Sequence, residues 1–160
     1  MSDVMRGRKT PRTARADLSR FDHLPVPRSF VNEVSLANHL ALEACCRNAG
    51  NRDLLNRMSR VLYLSYLICE AEGACEDLDA FRAAEATLDL AARRAAETDV
   101  WRVDEPDRPV LARILAIHDA QLASVSTRTY ASAVRRLERL LLSENPASPV
   151  GNAAPLSRAH

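Results

Sequence analysis

At 160 residues, 47% of them hydrophobic but only 4% aromatic, the chain has the length of one domain, with a core built from Leu, Ala, Val and Ile. A formal net charge of +1, from 22 basic and 21 acidic residues, excludes whole-molecule attraction to nucleic acid or an acidic membrane, so any such attraction must be local. Only four Gly are present, too few for the tight turns of a strand-rich fold, and the longest apolar run, residues 61–69, is far short of the roughly 18 to 20 residues of a membrane span.

Residues 1–28 carry Arg6, Arg8, Lys9, Arg12, Arg15, Arg20 and Arg28 against Asp3, Asp17 and Asp22, and Pro11, Pro25 and Pro27 prevent a long helix. This pattern predicts a basic, disordered arm. No apolar segment of an export signal follows it, so a cytoplasmic location with reduced thiols is expected.

A first helix is predicted over about 30–49, with Val34, Ala37, Leu40, Ala41, Ala44 and Cys45 as its apolar stripe and Gly50 as a left-handed terminator. Asn51 caps a second helix that buries Leu54, Leu55, Met58, Val61 and Leu62 and then becomes apolar nearly all round, which makes it central or part of an oligomer interface. Gly73 closes it. The acidic cluster Glu76, Asp77 and Asp79 sits at the positive end of a third helix that reaches about Thr98 and buries Leu78, Phe81, Leu88 and several Ala. A loop containing Trp101 follows, and Asp107 with Pro109 opens the last helical region.

In that region Leu111, Ile114, Leu115, His118, Leu122 and Val125 share one helical face. Tyr130, Ala133, Val134, Leu137, Leu140 and Leu141 share another, rotated by roughly 80 to 90° at 100° per residue. Supercoiling drifts by only about 20° per heptad, so a break is predicted between Ser124 and Thr129. The expected fold is therefore all-α: a helical bundle of four to five helices over 30–143, between disordered tails at 1–28 and 144–160.

Chemical motifs are few. Cys45 and Cys46 lie about 20 Å from Cys69 in an antiparallel hairpin, and Cys69 and Cys75 lack the spacing of a structural zinc site, so no metal is expected. The Glu-x-x-His of di-iron bundles is absent, as are the Ser-hydrolase, phosphate-loop and His-Glu-x-x-His motifs. His118 reads as a semi-buried core histidine. No cofactor and no enzymatic activity are expected.

Around the predicted break, Ala120, Ser124, Val125, Ser126, Arg128, Thr129 and Tyr130 fall at the positions of a helix-turn-helix, with Ser124 at the usual glycine and Asp119 at a usually apolar position. Residues 119–138 thereby resemble the helix-turn-helix of bacterial transcription regulators. The W-x-V-D loop at 101–104 and the L-x-x-H-D-x-Q-L run at 115–122 are similar to those of small all-helical bacterial proteins labelled Fis-type regulators. The resemblance implies Ser126, Thr127, Arg128, Ser132 and Arg135 in a DNA groove, with Arg6, Arg8, Lys9 and Arg12 of the arm on phosphates. The leading expectation is a non-enzymatic regulatory or adaptor protein acting through protein contacts, as a homodimer or with a protein partner and without a membrane. DNA binding is the alternative.

Overall fold

The computed structural model describes residues 22–73, 75, 77–144 and 147–151. Among them are five α-helices: α1 (Arg28–Cys46), α2 (Arg52–Glu72), α3 (Leu78–Thr98), α4 (Arg108–Ser124) and α5 (Thr127–Leu141), with a 3-10 turn, Glu105–Asp107, leading into α4. The fold is the expected all-α bundle. The parts of the tails at 1–21, 145–146 and 152–160, and Glu76 of the acidic cluster, lie outside the described residues.

The bundle is organised around α2, which touches each of the other four helices. Val61, Leu62, Leu64, Ser65, Tyr66, Leu67, Ile68 and Cys69 are all buried, so the segment that is apolar all round is central and is covered within one chain. The reason to expect a dimer from that segment is thus met by the chain's own helices. On one side α4 lies against α2, flanked by α1 and α3; on the other side α5 closes the remaining face of α2. Helix α3 contributes Phe81 and Leu88, with Ala84, Ala91 and Ala95 allowing its backbone to come close.

The helix ends follow the expected chemistry at three of four points. The Asn51 Oδ1 accepts the Leu54 N–H at 2.9 Å, Gly73 closes α2 in the left-handed region (φ 69°), and α4 stops at Ser124. Val125 and Ser126 are extended, and this two-residue break turns the apolar faces of α4 and α5 relative to one another. The fourth point differs. Helix α1 ends at Cys46, and the left-handed residue is Asn48 (φ 63°), whose short polar side chain tolerates that region. Gly50 is required for closeness instead: a Cβ there would stand 2.0 Å from the Trp101 carbonyl oxygen.

That approach belongs to the loop after α3. The Val103 N–H donates to the Cys45 carbonyl at 3.2 Å, Val103 is buried, and Arg52 stacks over the Trp101 ring at 5.6 Å. Arg94 grips Asp104 with two hydrogen bonds (3.0 and 2.6 Å) and Arg102 adds two more (3.2 and 2.8 Å). Arg94, and then Arg102, hold the Asp104 carboxyl below its usual range.

Two other differences concern α1 and the tail ends. The buried side of α1 is Asn38, Ala41, Leu42 and Cys45, while Leu40 of the expected stripe is 59% exposed. The reason is register: α2 and α4 both meet α1 along the Asn38 side, and Leu36 and Leu40 fall about 160° away from it at 100° per residue. Residues 22–27 and 147–151, at the inner ends of the expected tails, lie on the bundle. Val26 and Val150 join the core, and the Ser148 hydroxyl donates to Glu85.

Replacing Gly50 with Ala forces apart the α1–α2 turn and the Trp101 loop. The expected loss is about 1 to 3 kcal/mol in urea unfolding, and Gly73→Ala, where nothing lies within 4 Å, should cost less despite its left-handed backbone.

Candidate functional site

The corner singled out by sequence lies at the start of α5. The Ser126 Oγ accepts the Thr129 N–H at 3.1 Å, which caps the helix. The Thr127 N–H and hydroxyl both donate to the Leu24 carbonyl (2.8 and 3.0 Å), and the Arg128 N–H donates to the Asp22 carbonyl (2.9 Å). The first backbone donors of α5, which a free helix would offer to an anion, are therefore taken by the chain's own segment 22–25.

The side chains divide accordingly. Thr127 faces the N-terminal segment, whereas Arg128, Ser132 and Arg135 are exposed and, with Arg139, fall within about 60° on one side of α5. Arg136 turns elsewhere and pairs with Glu70. Arg6, Arg8, Lys9 and Arg12 lie outside the described residues.

A second locus lies between the helices. A cavity of about 490 Å³ opens between α1, α2, α4 and α5, within the size range of small-molecule sites. Its apolar wall includes Val61, Leu64, Val134 and Leu137, and Asn38, Arg57, Arg60, His118 and Tyr130 supply polar atoms. The Arg57 Nη1 donates to the Asn38 Oδ1 at 3.3 Å, which sets the orientation of the amide. The Asn38 Nδ2 then points elsewhere, buried and without a hydrogen-bond partner. Tyr130 is held edge-on to Phe30 with ring centroids 5.7 Å apart.

His118, expected to be a core histidine, is 1% exposed, and its Nδ1 shares a hydrogen bond with the Ser65 Oγ at 3.0 Å. One turn on, the Gln121 Nε2 donates to the Ser65 carbonyl at 2.9 Å, so α4 clamps both polar groups of one α2 residue. Burial lowers the His118 pKa to about 4 against a smaller opposing pull from Asp119, so the ring is neutral at neutral pH.

Sequence reasoning missed Asn38, Arg57, Arg60 and Tyr130 as a group. The one available signal was Asn38 at spacings of three, four and seven from Ala41, Leu42 and Cys45, a polar residue in an apolar stripe. The thiols are not poised for chemistry. Cys45 and Cys69 are buried and Cys46 and Cys75 half-buried; burial raises all four pKa values, that of Cys45 to about 11. Among the described residues, no cluster of three His, Cys, Asp or Glu side chains could hold a metal ion, and no helix is long and apolar enough to cross a membrane.

No family model, curated protein or solved structure matches the chain.

The buried ring has a measurable consequence. Because its folded pKa lies below the ordinary value of 6.5, the stability tied to neutral His118 is complete above pH 6.5 and is lost as pH falls towards about 4, when the unfolded chain takes up the proton first. At its steepest the loss is roughly 1 kcal/mol per pH unit. Urea titrations between pH 7 and 4 should show His118→Gln flatter than the wild type by about that slope; parallel curves would refute the assignment.

Proposed function

We propose that the chain is a non-enzymatic regulatory or adaptor module that acts by contact with another protein through the outer face of α1 and α4. The observation that carries this reading is the pair Leu36 and Leu40, 61% and 59% exposed, one turn apart on the side of α1 away from the core. Large apolar side chains in such a pair are a common anchor for a partner helix. Beside them α4 presents small residues: Ala112, Ala116 and Ala123 share the face of Arg108 and Asp119, and those two bind Glu43 and His39 of α1 at 2.9 and 2.8 Å. A face of alanines with two leucines at its side suits a helix lying along it.

A photo-crosslinking residue in place of Leu36 should yield one discrete adduct, and Leu40→Glu should reduce it by about tenfold, the effect of losing one anchor. Sedimentation at micromolar concentration identifies whether that adduct is a second copy of the chain. Labelling indistinguishable from that of a crosslinker at exposed Ala83 on α3 would sink the proposal.

A second reading, duplex DNA binding, is favoured by one observation: the exposed stripe of Arg128, Ser132, Arg135 and Arg139 adjoins Asp22, through which the chain connects to Arg6, Arg8, Lys9 and Arg12. The groove contacts in this reading are Arg128, Ser132 and Arg135, with Ser126 and Thr127 positioning the helix. Binding should then weaken steeply with salt, and the Arg128→Ala, Arg135→Ala double variant should lose discrimination between duplex sequences, at roughly 1 to 3 kcal/mol per base contact removed. Fluorescence anisotropy with no duplex binding at low salt excludes it.

A further inference from the structure

The cavity between α1, α2, α4 and α5 is lined by more hydrogen-bond donors than the fold uses. Asn38 is buried to 99%, and its Nδ2 has no partner even though its Oδ1 is engaged by Arg57. A buried amide donor left unpaired is costly, and at a cavity wall it is satisfied by a water or by an acceptor group of a bound molecule. Arg57 and Arg60, one turn apart on α2, reach the same cavity, and among the described residues neither forms an ion pair with a carboxylate. The Tyr130 hydroxyl is a further donor on the opposite wall.

The one carboxylate in the lining, Asp53, sits in the first turn of α2, where the positive end of the helix offsets it. The balance of the polar lining is therefore cationic and donor-rich. The rest of the lining is aliphatic, from Val34, Val61, Leu64, Val134 and Leu137. A group with two acceptor oxygens and one negative charge complements the first part, and a hydrocarbon body complements the second.

We propose that this cavity binds an amphipathic monocarboxylate, its carboxylate held by Asn38, Arg57 and Arg60 and its apolar body lying between α2 and α5. The site is independent of the α1–α4 surface and of the basic stripe on α5. The wall supplied by α5 is contributed by a helix that packs on α2 alone among the major helix contacts, so carboxylate binding ties α5 to α1 and α2.

Calorimetric titration of the full chain with octanoate, 1-octanol and octylamine tests the assignment. Octanoate should bind at one site per chain and at least about tenfold more tightly than 1-octanol, the preference expected from charge-assisted hydrogen bonds. Octylamine should bind more weakly than either. The double variant Arg57→Met, Arg60→Met alters two exposed side chains and should keep the helical circular dichroism while binding octanoate and octanol alike. Failure of octanoate to bind at millimolar concentration, equal binding of octanoate and octanol to the wild type, or an unchanged preference in the double variant would each overturn the proposal.

Discussion

The architecture depends on one requirement: residues 61–69 of α2 are apolar around the whole circumference and must be covered on every side. One neighbouring helix shields only a part of a helical cylinder, so several are needed, and α1, α3, α4 and α5 supply them. The alanines of α3 bring that helix close, and the two-residue break after Ser124 swings α5 onto the face that α4 leaves open. Within this apolar surround the single hydroxyl of Ser65 needs a partner. His118 meets the hydroxyl and Gln121 meets the carbonyl, which fixes the register of α4 along α2 to within one turn.

Much of this was legible in the sequence because it rests on local rules. Asn51 and Gly73 act through caps a few residues long, and the break between α4 and α5 was visible as a mismatch in helical phase. The reading was less secure where two physical causes leave the same mark. Gly50 follows a helix, as a left-handed terminator would, but its absent side chain makes room for a carbonyl contributed fifty-one residues later. Leu36 and Leu40 look like core residues by type, and only the placement of α2 and α4 reveals that Asn38 faces inward instead.

The candidate sites were less legible still. The serine, threonine and arginine of the α4–α5 corner were identifiable as a joint, but not the occupation of its backbone donors by Leu24 and Asp22, because those partners lie 103 and 106 residues away in sequence. The cavity donors come from three helices and carry no shared motif. Asn38 is ordinary in sequence; its significance comes from being buried with half of its amide unpaired.

The docking of the Leu24 carbonyl on Thr127, 103 residues away, also bears on how the chain matures at the ribosome. A nascent chain emerges from its N-terminus, so α1 to α4 can gather before α5 is available. Until then the face of α2 that α5 will cover stands open to solvent, and the segment around Leu24 has nothing to hold. Helix α5 therefore completes two unfinished surfaces at once, so vectorial synthesis leaves the central helix α2 partly bare until α5 has been made.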